Sequence, residues 1–236
     1  MATRKNIEKA SNLDKPEKFQ LSEVGYSGNR MFDGVTQEET IRDLNFPNSL
    51  TTFREMSYHP AVNTPLSLYN SMISKAKFRV IPVKDASKKE KKQAEAIESM
   101  FNDMETPMED IVVDIMTMAI YGFSVIEKVY RRRELSKGSA YDDGLIGIKK
   151  LALRSQESID KFIFDKSGND IIGVKQDISR LNDPYKRFAN RLEMQVVLPR
   201  SKFMLFNVGR NRTNPYGTSP LRDVYLPWKY LTTVEE

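Results

Sequence analysis

The chain has 236 residues, Lys and Arg outnumber Asp and Glu by 37 to 32, and the formal net charge is +5. That length can bury one substantial core or two small ones without disulfide or metal staples, and the absence of cysteine excludes a disulfide framework, a thiolate metal site and a cysteine nucleophile. The N-terminus, MATRKNIEKASNLDKPEKF, lacks the apolar stretch of a signal peptide and nowhere do about eighteen uncharged apolar residues follow one another, so the expectation is a soluble, non-secreted protein with no membrane partner.

Residues 1–48 are polar and rich in Gly, Asn, Ser and charge, with Gly25, Gly28 and Gly34 breaking any periodicity, and read as an extended arm that orders against another surface. Helical signals begin near Leu50. In NTPLSLYNSMISKA, Asn63 is placed to cap, Pro65 falls in the first turn, and Val62, Leu66, Tyr69 and Ile73 recur at helical spacing. KFRVIPV, Lys77 to Val83, predicts a strand, at a sheet edge because Pro82 has no amide donor. Ser87 then caps a helix whose core stripe is Ala94, Ile97, Phe101 and Met104. Thr106-Pro107 ends it and starts another, with Ile111, Ile115, Met118 and Ala119 on one face and Gly122 as a left-handed C-terminal cap.

Past Gly122 the period changes. FSVIEKVYRRR, LIGIKKLALR, SIDKFIFD, DIIGVKQDI, EMQVVLP and KFMLFNV are short and rich in branched and aromatic residues, with turns at Asp142-Asp143-Gly144, Lys166-Ser167-Gly168-Asn169 and around Asp183-Pro184. That is the pattern of consecutive antiparallel strands. Helices first and strands afterwards predict an α+β fold, because a parallel sheet needs its helices interleaved. Finally NPYGTSPLRDVYLPWKY, Asn214 to Tyr230, runs from a turn into a helix start, a hydroxyl followed by Pro220 at an early helical position. Pro227, seven residues on, predicts a kink or boundary near Leu226.

The basic residues are unevenly spread. From Met194 to Arg222 there are Arg200, Lys202, Arg210, Arg212 and Arg222 and no carboxylate, which suits a solvated face, or a polyanion or subunit contact. Lys84 to Lys92, KDASKKEKK, enters a helix with acids beside it and reads as a solvated face.

Reagents for catalysis are hard to find. His59 is the sole histidine and sits before Pro60 in a turn, a structural position. Neither a Walker loop nor a dinucleotide fingerprint is present. DKSGNDIIGVKQ fails as a calcium loop because Asp170 stands where glycine is needed and Gln176 where a bidentate glutamate must close the site; a hairpin turn fits better. The carboxylates Glu109-Asp110 sit in a first helical turn, where the dipole favours them. Phe162, Phe164, Phe203 and Phe206 beside Lys161, Lys202 and Arg210 could stack bases, or could be core. No reaction, metal or cofactor follows from these residues, which leaves a binding or structural protein.

NPYGTSPLRDVYLPWKY resembles a segment of the tailed-phage portal proteins, particularly the Mu-type portal family. MTMAIYGFSVIEKVYRRR, Met116 to Arg133, resembles that family's helix, Tyr-Gly and following strand, and SLYNSMISKAKFRVIPV and VVLPRSKFMLF echo it in the expected order. The resemblance implies a homo-oligomeric ring, twelve-fold in the particle, at one vertex of the virion capsid, assembled in the host cytoplasm. Double-stranded DNA passes through the ring in packaging and ejection, and the implied partners are the major capsid protein, the terminase packaging motor and a head-tail adaptor. It also implies no catalytic centre. Residues 49–215 would be the wing and 216–236 the helical approach to the stem; since portal chains continue well beyond this point, the expectation is an N-terminal part of a longer protein. On this reading Arg200, Lys202, Arg210, Arg212 and Arg222 are DNA or subunit contacts, with Arg210 and Arg212 facing a neighbour or the tunnel and Lys88 to Lys92 facing solvent. Gly122, Pro215, Gly217 and Pro220 serve turn geometry, Tyr216 and Trp228 pack helix against sheet, and Leu221 lies on the helix's buried face. The rival is a free-standing, monomeric module that binds single-stranded nucleic acid; an enzyme with an atypical carboxylate site is the third reading.

Overall fold

The strand FSVI at Phe123 to Ile126 is buried along its whole length, which requires cover on both faces of its sheet. In the computed structural model, which describes residues 25, 28, 31–32, 35–36, 39–180, 195–209 and 214–235, that cover comes from a helix on one side and a second sheet on the other. Strand β3 (Phe123–Arg132) is central in a three-stranded antiparallel sheet, between β4 (Ile146–Arg154) and β8 (Phe203–Asn207). The second sheet is the meander β5 (Ile159–Phe164), β6 (Ile171–Asp177), β7 (Gln195–Pro199). Ahead of them β1 (Met31–Phe32) and β2 (Val35–Thr36) form a minimal hairpin.

Alternation along β3 divides its side chains between two cores. Phe123 and Val125 face the second sheet and meet Ile159, Phe162, Val174, Leu198, Phe203 and Tyr216. Ile126 faces the other way, onto Ile111 of α4 (Met108–Met116) and Leu151 of β4, and Ser124, on the same side, donates to the Ile115 carbonyl at 3.2 Å. The α+β class and the six strands agree with the sequence expectation, but the strands form two sheets rather than one run of hairpins. β8 returns across the whole meander to pair with β3, Phe123 opposite Asn207 and Glu127 opposite Phe203.

The helices depart more from expectation. Helix α1 is Asn48–Tyr58 and α2 is Pro60–Ile73. The N-cap of α2 is His59 and Pro60 supplies its first turn, so Asn63 is not the cap; its amide donates instead to the Ser57 carbonyl at 3.0 Å. Pro65 lies inside α2 rather than at its start. The two prolines are compatible with one helix because only the interior one costs an intrahelical bond. Nothing in α2 is fully buried, and Tyr69, expected on the core stripe, is 48 % exposed.

The predicted strand Lys77–Val83 does not form. None of the described strands pairs with it, and Ile81 and Val83 are about four-fifths exposed, at 81 % and 77 %. Alternation signals a strand only where a partner edge exists, and an isolated extended segment gains no ladder bonds. Helix α3 (Lys88–Asn102) has the predicted start, a full capping box: Ser87 Oγ accepts from the Glu90 amide at 3.3 Å and Glu90 accepts from the Ser87 amide at 2.7 Å. Its stripe is only half-buried, and Ile97 is exposed. A helix with no fully buried residue depends on its own caps. Ser87→Ala is therefore expected to weaken α3 by about 1 kcal/mol, seen as faster amide exchange across Lys88–Asn102 with little change elsewhere.

The helix after Pro107 breaks at Thr117 into α4 and the short α5 (Met118–Tyr121), and Gly122 caps α5 at φ +91° as predicted. The final helix, α6 (Leu221–Glu235), continues through Pro227, so of the two expected outcomes near Leu226, a kink or a boundary, the boundary does not occur. Pro227 leaves only the Asp223 carbonyl without its helical donor, and Asp223 is exposed to solvent.

Candidate functional site: where two Tyr-Gly turns cross

The two sequence stretches that carried the most information, Tyr121-Gly122 and Tyr216-Gly217, come together. Gly122 takes φ +91° to leave α5 and enter β3, and Gly217 takes φ +61° ahead of α6. Their backbones touch: a Cβ on Gly217 would lie 2.4 Å from the Gly122 carbonyl oxygen and 2.6 Å from that of Val208, and a Cβ on Gly122 would lie 2.6 Å from the Tyr216 carbonyl oxygen. Only glycine permits both the dihedrals and the approach.

Hydrogen bonds stitch this crossing. The Val208 amide donates to the Gly122 carbonyl at 2.9 Å, and the Thr218 amide to the Val208 carbonyl at 2.8 Å. Ser219 Oγ donates to the Ile120 carbonyl at 2.6 Å while accepting from the Leu221 amide at 3.1 Å. Ser219 thus caps α6 and ties it to the end of α5, ninety-nine residues earlier. Asn214 Oδ1 accepts from the Tyr216 amide at 3.0 Å, which orders the turn that Pro215 occupies, and Pro215 itself is fully buried.

Tyr216 is the wedge between the sheets. Its ring lies 4.3 Å from Phe46, 5.1 Å from Phe162 and 5.5 Å from Phe123, the last two edge-on. That is the favoured geometry for ring quadrupoles. Burial raises the pKa of its hydroxyl well above the ordinary tyrosine range. Leu221, 4 % exposed, and Tyr225 seat α6 in a second core with Leu44, Phe53 and Met56, and Trp228 packs on its edge. Tyr216 therefore packs sheet on sheet, and Trp228 packs helix on helix.

Sequence inspection missed the partners that residues 39–47 bring to α6. Asp43 Oδ2 accepts from the Tyr225 hydroxyl at 2.5 Å and from Lys229 Nζ at 3.0 Å. Glu39 accepts from Arg222 at 2.5 and 3.3 Å. Burial raises the Glu39 carboxyl, but bonds from Arg222, Ile41 and Thr40 outweigh it and hold the pKa below the ordinary range. Acidic residues scattered through a polar arm give no sequence signal of such pairing.

The described basic residues have different partners. Arg200 and Lys202 are exposed in the turn between β7 and β8. Arg200 donates to the Phe203 carbonyl at 3.0 Å, and Lys202 sits over the Tyr130 ring, 5.1 Å from its centroid. Arg222 is on α6, paired with Glu39. Arg210 and Arg212, like the turn around Asp183-Pro184, lie outside the described residues. Lys88, Lys89, Lys91 and Lys92 are exposed.

The remaining candidates are spent on structure. Phe162 and Phe203 are 0 % and 1 % exposed, so they cannot stack bases. His59 occupies the N-cap position of α2 without a side-chain capping bond, with Nε2 3.6 Å from Glu235. Asp165 accepts from the amides of Asn169 at 2.9 Å and Asp170 at 3.2 Å and from the Ser167 hydroxyl, a self-contained hairpin turn. Among the described residues no three of His, Cys, Asp and Glu converge on a metal position, and no helix is long and apolar enough to cross a membrane.

Comparison with known proteins gives one family: the model described as portal protein of Mu bacteriophage matches residues 50–233. No match is found among curated proteins.

Proposed function

Because the chain belongs to the portal protein family of Mu bacteriophage, we propose that it is one wedge of a ring at a single capsid vertex of a tailed phage, through which double-stranded DNA is packaged and ejected. The family is a structural one, and we assign the chain no catalytic role. The family match supports this reading most directly, because residues 50–233 include both Tyr-Gly turns, the two three-stranded sheets and most of α6. The major capsid protein, the packaging motor and a head-tail adaptor are the partners such a ring would meet, and the described residues would form its wing with the beginning of the stem.

Grip on DNA in such a ring is electrostatic and independent of sequence. Each exposed Lys or Arg is repeated around the axis, and phosphate contacts of this kind weaken as salt rises. Arg200 and Lys202, exposed and without carboxylate partners in their own stretch, suit that task better than Arg222, whose guanidinium is held by Glu39. The burial of Phe162 and Phe203 disfavours the alternative, a monomeric single-strand binder.

Negative-stain electron microscopy of the purified protein is expected to show annular particles with a central hole. A uniform monomer that binds single-stranded DNA with steep salt dependence would replace the ring by the alternative.

A further inference from the structure

Strand β8 ends its sheet, in the order β4-β3-β8, and so has one open edge. The Val208 amide donates to the Gly122 carbonyl at 2.9 Å. Bonding alternates along an antiparallel pair, so Met204 and Phe206 turn their main-chain groups toward β3, whereas Phe203, Leu205 and Asn207 turn theirs away. The bond from Arg200 to the Phe203 carbonyl, at 3.0 Å, agrees with that parity. Among the described residues no main-chain group bonds to Leu205 or Asn207 on the open side. Edges of this kind are ordinarily shortened, charged or covered.

A cleft of about 320 Å³ opens there, and its walls include Leu205 and Asn207 of β8, Arg200, and Asn169, Asp170 and Ile171 at the entry to β6. It carries one charge of each sign, Asp170 and Arg200, so charge does not select what enters; main-chain hydrogen bonding does. Asn169 is 8 % exposed, and its carboxamide is half used. Nδ2 donates to the Gly25 carbonyl at 2.8 Å, whereas Oδ1 is buried and, among the described residues, has no hydrogen-bond partner. A buried acceptor left empty costs the fold. A carboxamide with one main-chain bond made and one open, beside a free strand edge, suits an extended peptide, which offers N–H and C=O groups along its side.

We propose that the occupant is the chain's own N-terminal arm: residues 19–24 enter the cleft as an added strand on the open edge of β8, and one of their amides bonds to Asn169 Oδ1. The proposal goes beyond the ring reading and does not depend on it. Gly25, already tied to Asn169, brings these residues to the cleft. Six extended residues reach about 20 Å from that anchor, enough to follow the five residues of β8. Their sequence, FQLSEV, suits the role: Phe19 and Leu21 alternate with Gln20 and Ser22, and with no proline among them every amide can donate. An edge closed in this way is no longer a template for pairing with other chains.

Two measurements on the full chain test it. Because the chain has no cysteine, an introduced pair reports a single contact. Gln20→Cys, Leu21→Cys or Ser22→Cys, each combined with Arg200→Cys at an exposed position of the cleft wall, is made in turn. On mild oxidation at least one pair should close a disulfide within one chain, read by non-reducing electrophoresis and peptide mass, since closure requires Cα atoms about 4–7 Å apart. Leu21→Cys with Lys89→Cys, on α3, should not close. In amide hydrogen exchange the Leu205 and Asn207 amides should be slow in the wild type. The double variant Leu21→Pro, Ser22→Pro, which removes two successive donors and breaks the added strand, should speed them roughly tenfold or more and leave Met204 and Phe206, bonded to β3, unchanged. Leu205 and Asn207 amides that exchange in the wild type as fast as exposed ones would overturn the proposal. So would slow exchange that the prolines leave untouched, which assigns the edge to another segment. Failure of all three pairs to close, or disulfides formed only between chains, which assign the cleft to a neighbour's arm, would overturn it as well.

Discussion

Gly217→Ala is expected to lower the melting temperature by roughly 10 °C, whereas Gly138→Ala lowers it by about 3 °C. Both glycines have positive φ, +61° and +76°, so each substitution carries the left-handed penalty of about 1–2 kcal/mol. They differ in what the methyl group meets. At Gly138 the nearest atom is Arg131 Nη1 at 3.8 Å, the end of a side chain. At Gly217 it meets two main-chain carbonyl oxygens, of Gly122 at 2.4 Å and Val208 at 2.6 Å, on residues that directly flank the paired strands β3 and β8. Relief then requires moving the Tyr216 wedge away from Phe123 and Phe162, which adds at least ~2 kcal/mol of lost packing. Gly122→Ala presses on the same contact from the other side, so the two changes should be markedly non-additive in combination. Thermal scans showing Gly217→Ala no worse than Gly138→Ala would mean that the crossing is not close-packed.

This contact also shows what could be read from the sequence. Tyr-Gly at 121–122 and at 216–217 could each be recognised as a turn, and Leu221 as the first buried residue of a helix, because each is a local pattern. That the turns lie on each other depends on β8 returning to β3, a pairing that no local period encodes. Lys77–Val83 failed for the converse reason: its alternation is real, but a strand needs an edge to pair with, and none of the described strands supplies one. Tyr69 and Ile97 carry helical periodicity on faces that the single chain leaves exposed, so amphipathic spacing marked apolar faces correctly without saying what covers them. The pairing of Arg222 with Glu39 was invisible because the two lie 183 residues apart and the arm looked merely polar. The Arg131-Arg132-Arg133 run carries no local sign of burial, yet the side chains of Arg131 and Arg133 are 7 % and 2 % exposed.

Burial of those arginines leads to the second large effect. Asp103→Asn is expected to destabilise the protein by about 3 kcal/mol, because breaking a buried pair strands its partner. The Asp103 side chain is 2 % exposed, lies 3.3 Å from Arg131 Nη2, and accepts from Ser139 Oγ and the Ala140 amide, both at 2.8 Å. Among the described residues Arg131 would retain Glu105, at 3.5 Å and 44 % exposed, as its carboxylate partner, beside its bond to the Asp103 main-chain carbonyl. Nearby, Arg133 reaches Ser99 and Asp143 and lies over the Tyr141 ring, so the end of α3 is held to β3 and the following turn largely through charged groups. Burial raises the Asp103 carboxyl, but the bonds from Ala140 and Ser139 and the charge of Arg131 outweigh it and hold the pKa below the ordinary 3.8. A carboxyl depressed in the folded state stabilises fully above its unfolded value and loses that contribution as pH falls through the folded one. Wild type and Asp103→Asn should therefore differ most above pH 3.8 and converge below it. Glu39 and Asp165 are depressed in the same sense, but both proteins retain them, so they cancel in the difference. A stability gap measured by urea unfolding that stays constant from neutral pH into strong acid would show that Asp103 is not the ion holding Arg131.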